Sequence, residues 1–288
     1  MAAAARPAGA GAAGSRLLQL DGRRTLRVLE AGDGPPVVLI HGALGTAEDM
    51  AIALFDQLAP RFRVLAPDRP GHGFSVRERF EASPFRQAEL IRAGLAQMGV
   101  ERPVLAAHSM GGPVALAWAR QWPEELAGLL LMNTAAYPEL RPFEHFVLSP
   151  RAAPGAGPLM SRAAGATLDP LMLPLVQKYM FSPQEVPERW AREFPHDLVR
   201  RPEQMTVEGE DFADVPALAR LAAGYRATPV RTIILAGERD RVVSPRTHSR
   251  ALVHALANAE LREFPELGHM LHHFAQDAVV EAIEALAA

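Results

Sequence analysis

A serine held between small residues supplies the strongest chemical signal in the chain: Ala107-His108-Ser109-Met110-Gly111-Gly112. The apolar run Pro103-Val104-Leu105-Ala106 before it reads as a buried parallel strand, and Pro113 to Ala119 after it reads as an alanine-rich helix. A turn that joins strand to helix this tightly leaves no room for bulk two residues either side of the serine, which fits Ala107 and Gly111. It exposes the Ser109 hydroxyl and turns the Met110 N–H, at a helix N-terminus, towards developing negative charge. Ser before Gly-Gly is also ordinary turn chemistry, so Ser109 as a nucleophile stands or falls with its partners.

A nucleophilic serine needs a base, an acid to orient the base, and a second N–H donor for the oxyanion. The strand-like run Thr228 to Ala236 leads directly into Gly237-Glu238-Arg239-Asp240, and Asp240 fits the orienting acid with Glu238 as its rival. Ser244 and Pro245 read as the N-cap and first turn of the next helix. A further short strand, Ala259 to Phe264, is followed by a loop ending in His269, where a histidine has little structural reason to be. Upstream, the strand Pro36 to Ile40 runs into His41-Gly42-Ala43-Leu44-Gly45, a turn able to present the Ala43 N–H as the second donor.

Strands and helices alternate from about Thr25 to Asn133, with helices over Asp49–Leu58, Phe85–Met98 and Met110–Trp122. That rhythm predicts an α/β fold with a mostly parallel, doubly wound central sheet. It stops between about Tyr137 and Tyr225, where prolines crowd apolar groups such as Leu171 to Val176 and no period-two pattern survives; short proline-broken helices fit there. After Thr228 the alternation resumes.

With the motifs in order, the chain resembles the α/β-hydrolase family over roughly residues 25 to 287. The resemblance rests on HGALG at 41–45, DRPGHG at 68–73, AHSMGG at 107–112, GERD at 237–240 and LGHM at 267–270. It implies a division into an Ala/Gly-rich disordered tail (1–16), a first core part (17–136), a helical cap (137–225) and a second core part (226–288). Met172, Leu175 and Phe181 are then expected to line an acyl-binding pocket under a cap that buries little shared core and moves readily. The resemblance implies Ser109, Asp240 and His269 as the triad and Ala43 and Met110 as the oxyanion hole. Epoxide hydrolase and haloalkane dehalogenase relatives carry an aspartate at the Ser109 position, so the serine points to acyl chemistry with no cofactor. The expected activity is cleavage of a carboxylic ester of a small or medium apolar substrate. Lactone or carbon–carbon bond hydrolysis on the same triad, or a ligand-binding receptor-like module with little turnover, are the alternatives.

Composition bounds this without sharpening it. A chain of 288 residues, 49% hydrophobic, can bury a large core, and a net charge of -3 gives no reason to expect nucleic acid or anionic membrane as a partner. The absence of cysteine excludes disulfides, thiolate zinc sites and a cysteine nucleophile. The first 15 residues lack a bulky apolar segment of signal-peptide type, and no run reaches the roughly 18 apolar residues that span a bilayer, so a small-molecule substrate and a cytoplasmic location are expected. His41 reads as a hydrogen-bonding strut, His108 as structural, Asp68 as a loop anchor, and the Asn133 amide cannot hold an imidazolium by charge. His272 and His273 beside His269 suggest a metal cluster, but no carboxylate lies at compatible spacing. No metal is expected, and the pair should start the final helix.

Overall fold

The computed structural model describes residues 14–139, 142 and 144–288. Its centre is an eight-stranded sheet in the order β1-β2-β4-β3-β5-β6-β7-β8. The strands are β1 (Gly14–Gln19), β2 (Thr25–Ala31), β3 (Pro36–Ile40), β4 (Arg63–Pro67), β5 (Val104–His108), β6 (Gly128–Met132), β7 (Thr232–Gly237) and β8 (Ala259–Phe264). β1 and β2 pair antiparallel with each other and β2 pairs antiparallel with β4; every pairing from β4 through β8 is parallel. The central strands are unbroken apolar runs because helices cover both faces. β5, β6 and β7 are buried along their whole length, whereas the edge strands β1 and β8 expose polar residues that blunt the open edge.

Helices α1 (Ala47–Leu58) and α11 (Gln276–Ala287) pack on one face through Met50, Leu54, Phe55, Val279 and Ile283. Helices α2 (Pro84–Gln97), α3 (Gly111–Gln121) and α10 (Ser249–Ala255) pack on the other through Ile91, Leu116, Trp118 and Leu252. Between β6 and β7 lie α4 (Ala156–Thr167), α5 (Asp169–Phe181), α6 (Glu188–Glu193), α7 (His196–Val199), α8 (Pro202–Ala213) and α9 (Val215–Ala222). Among the described residues no helix is long and apolar enough to cross a membrane.

Four expectations are corrected. Residues 1–13 of the expected tail lie outside the described residues, but Gly14, Ser15 and Arg16 form half of β1, because a ladder to Glu30, Leu29 and Val28 needs only backbone partners. Ser244 caps a turn ahead of the helix and not the helix itself: its Oγ accepts the Thr247 N–H at 3.4 Å and its carbonyl the His248 N–H at 3.0 Å, and α10 starts at Ser249. Pro174 does not break α5 but sits inside it, at the cost of one backbone hydrogen bond, the one its missing N–H would give to Pro170. The helical insertion also shares more core than its prolines suggest. Leu148, Leu173, Phe181, Trp190, Phe194, Met205 and Phe212 form one apolar cluster with Leu44, Ile52 and Met270.

α8 goes further, burying Gln204, Glu208, Glu210 and Asp211 against the loop that follows β4. Arg69 Nη1 and Arg77 Nη1 each reach the Asp211 carboxylate at 2.7 Å, and Arg77 and Arg79 both hold Glu210. Three arginines thus face Glu210 and Asp211, which is what permits so much charge in a buried contact.

Candidate active site

The sheet order reverses at β3: the chain moves outward to β4, then returns to the far side of β3 for β5. The carboxyl ends of β3 and β5 therefore flank a crevice of the kind in which open α/β sheets bind ligands. β5 ends at His108, and Ser109 follows with φ +50°, a left-handed backbone that L-residues avoid outside such turns. The small neighbours are required by contact. A Cβ on Gly111 would stand 2.5 Å from the Ile40 carbonyl oxygen and 2.7 Å from that of His41, and one on Gly42 would stand 2.9 Å from the Ser109 Cβ.

His269 and Asp240 reach the same crevice from the loops after β8 and β7. The Ser109 Oγ lies 3.0 Å from His269 Nε2, and His269 Nδ1 lies 2.8 Å from Asp240 Oδ2. The other Asp240 oxygen accepts the Val242 and Val243 N–H groups at 2.7 and 2.8 Å, which fixes the carboxylate plane. All three side chains are buried. Glu238 is half-exposed and paired with Arg250, well placed for the surface and not for His269. Ala43 and Met110 line the cavity beside Ser109, and among the described residues neither N–H has a protein acceptor.

Residues 35–276 match the sequence profile of the α/β-hydrolase fold, and the sheet order and flanking helices agree with it. The chain belongs to the α/β-hydrolase fold family. Its members are enzymes. An uncharacterised protein of Mycobacterium tuberculosis is 38% identical over 111 residues, which is 38% of this chain and 32% of that protein, so the match spans about a third of that relative. Haloalkane dehalogenase 2 of the same species is 26% identical over 279 residues, covering 91% of each chain. A thermophilic esterase from Thermogutta terrifontis superposes with a TM-score of 0.70 at 20% identity, over 96% of this chain and 100% of that one.

Around this α/β-hydrolase site stand supports that motif spacing does not reveal. His108 Nε2–H and Asn133 Nδ2–H both donate to the His269 carbonyl, at 2.9 and 2.8 Å. Asn133 also donates to Gly268 and accepts the Gly237 N–H, so the end of β6 ties the histidine loop to β7. His41 is the strut expected of it, accepting the Arg69 N–H at Nε2, and Asp68 anchors its loop through the Ala47 and Phe74 N–H groups.

The histidine pair needs a correction. His272 and His273 lie in a 3-10 turn ahead of α11, and a carboxylate does stand beside them: Asp49 of α1 receives His272 Nε2–H at 3.1 Å, His273 Nε2–H at 3.0 Å and the Trp190 indole N–H at 2.8 Å. The partner is 223 residues away in sequence and invisible to local spacing. The available signal was an acid, Asp49, adjoining the apolar stretch Met50 to Phe55 directly behind Glu48. With three N–H donors on it, Asp49 joins α1, the histidine loop and the insertion.

Burial moves these groups in a consistent direction. It pushes His41 and His108 well below the usual histidine range and His272 down to about 4, with His273 adding to the last shift. Burial opposes ionisation of Asp49, yet His272 and His273 outweigh it and hold the carboxyl well below the carboxylate range. Burial likewise opposes ionisation of Asp211, which Arg77 and Arg69 hold down to about 2. The three histidines stay neutral in the fold while the unfolded chain takes up protons below pH 6.5. Stability should therefore fall as pH drops through 6.5 towards 4, by up to about 1.4 kcal/mol per pH unit per histidine. The Asp211 contribution persists above the unfolded carboxyl value and fades as pH falls towards about 2. Urea midpoints measured at pH 7.5, 6.0 and 5.0 check this; a flat series would contradict it.

The cavity over Ser109 has a volume of about 590 Å³. Leu148, Leu175, Val176, Tyr179, Met180 and Phe212 supply its apolar wall. Leu175 is where the sequence placed it, but Met172 and Phe181 are not on the wall. Phe181 is 1% exposed and packs edge-on against Trp190 at 4.9 Å, because at helical spacing it falls on the core side of α5 with Leu173. Met172 precedes Leu173 on the flank of that side and is half-buried.

Proposed function

We propose that the protein is a cofactor-free serine hydrolase that cleaves a carboxylic ester of a small or medium apolar substrate through an acyl-enzyme. The observation that carries the reading is the Ser109–His269–Asp240 line, at 3.0 and 2.8 Å, on the floor of a cavity with an apolar wall. His269 takes the Ser109 proton at Nε2 as Oγ bonds to the acyl carbon, and Asp240 holds the Nδ1–H tautomer. The Ala43 and Met110 N–H groups receive the oxyanion, each worth about 3 kcal/mol of barrier. His269 then returns the proton to the departing alcohol, and a water deprotonated by the same nitrogen releases the acid. A serine, in place of the aspartate of the epoxide- and halide-processing branches, favours acyl transfer over their chemistry. Residues 137–225 act in this reading as the cap.

Labelling with a fluorophosphonate, followed by turnover of p-nitrophenyl esters of graded chain length, tests the proposal. Labelling without turnover of any ester or lactone would favour the ligand-binding alternative. Within the series, Leu175→Ala should shift the preferred acyl length upwards by a few-fold in kcat/KM with little loss of stability, since Leu175 is 62% exposed towards the cavity mouth. Phe181→Ala should do the opposite, lowering stability by about 3–5 kcal/mol while leaving the chain-length profile parallel to wild type. Matching chain-length profiles for wild type and Leu175→Ala would remove this residue from the substrate wall.

A further inference from the structure

The turn that carries Ala43 is held by the insertion. Leu44 adopts φ +50°, a backbone that costs a leucine about 1–3 kcal/mol and persists only where neighbours impose it. Its N–H donates at 2.6 Å to Glu208 Oε1, and Glu208 is fully buried on α8. Gln204, one turn earlier on α8, donates to the Gly45 carbonyl at 3.2 Å and accepts the Gly73 N–H at 2.9 Å. The second Glu208 oxygen, Oε2, has no hydrogen-bond partner among the described residues. A buried carboxylate with an idle oxygen is costly, and nothing in the packing of α8 alone requires an acid there. Its reach to Leu44 does require an acceptor oxygen at that length.

We propose that Glu208 is a positioning residue for the oxyanion donor at Ala43. The carboxylate fixes the plane of the Ala43–Leu44 peptide, and through Ala43, which lines the cavity with Ser109, it fixes the preceding peptide that carries the Ala43 N–H. The inference rests on the serine-hydrolase reading of the site and adds to it a part for the insertion in the chemical step. Glu208 touches no reacting atom. His72 Nε2, which receives an Arg69 N–H at 3.0 Å, stands 3.2 Å from Glu208 Oε1, so the bond that holds this carboxylate oxygen is the one from Leu44.

Two conservative variants separate this role from a purely structural one. Glu208→Gln keeps the reach and an acceptor oxygen while removing the charge. Glu208→Asp keeps the charge but withdraws the acceptor by one methylene. Positioning predicts that Glu208→Asp lowers kcat by about 10²-fold with KM within about threefold, the order expected for a donor misplaced by an ångström, and that Glu208→Gln stays within severalfold of wild type. A role in charge balance alone predicts the reverse order. Equal losses, a larger loss in Glu208→Gln, or wild-type kcat in Glu208→Asp each overturn the proposal. The Leu44 amide proton gives a readout that needs no turnover: a bond to a carboxylate places it downfield, and it should move upfield most in Glu208→Asp. Should that variant not fold, Glu208→Gln decides alone, near-wild-type kcat with a shifted Leu44 resonance supporting the proposal and lost turnover overturning it. A wild-type protein inert to both phosphonate and esters would instead refute the hydrolase reading. Wild-type turnover matched by Glu208→Asp would refute the part given to Glu208 and leave that reading intact.

Discussion

Replacing Ser109 with alanine should abolish ester turnover, by about 10⁶-fold in kcat, and end phosphonate labelling while leaving the fold intact. Alanine fits the elbow because its Cβ sits where the serine Cβ already sits, 2.9 Å from where a Cβ on Gly42 would stand. The backbone bonds that shape the turn do not involve the hydroxyl: the Ser109 N–H donates to the Met132 carbonyl at 3.0 Å, and its own carbonyl accepts from Gly112 and Ala135. A thermal midpoint within a few degrees of wild type would show the fold to be intact. Ester turnover above a trace in that folded variant would remove Ser109 as the nucleophile.

Asp240→Asn should cost about 10⁴-fold in kcat with the structure preserved. The amide oxygen can still accept the Val242 and Val243 N–H groups, so the loop keeps its shape. The amide nitrogen then faces His269 Nδ1 with a donor, forcing the proton onto Nε2, where it opposes the Ser109 hydroxyl instead of accepting from it. Glu238→Gln, on a half-exposed side chain already satisfied by Arg250, should change kcat by less than about twofold. If the Glu238 variant proved the more damaging, the acid would have to be reassigned.

The parallel half of the sheet and the Ser–His–Asp line were legible because their signals are local. Buried parallel strands such as Val104–His108 and Thr232–Gly237 are continuous apolar runs with Ser109 and Asp240 on the turns just beyond them, and His269 follows the short edge strand Ala259–Phe264. The first strand escaped notice because Gly14–Arg16 carry no strand pattern; pairing with β2 through backbone groups makes them a strand. The buried face of α8 was illegible for a different reason. PEQMTVEGEDFA has the polarity of a solvated helix, and its acids are buried only because Arg69, Arg77 and Arg79 come from a loop more than 130 residues earlier. Asp49 and the His272–His273 pair show the same limit across 223 residues. In α5, periodicity marks an apolar helix but does not say which side meets solvent, cavity or core, so Met172 and Phe181 were expected on the pocket wall along with Leu175, which alone of the three lines it.

The two donors on the His269 carbonyl have a consequence for how the site ages and evolves. His108 is the residue before Ser109, and Asn133 follows the end of the neighbouring strand, so Ser109 and His269 are riveted to one pair of adjacent strand ends. When the sheet flexes or twists, they ride together as a single tile. Their separation is then insensitive to drift in the surrounding loops, whereas the Ala43 turn, tied to Glu208 and Gln204, moves with the helices overhead.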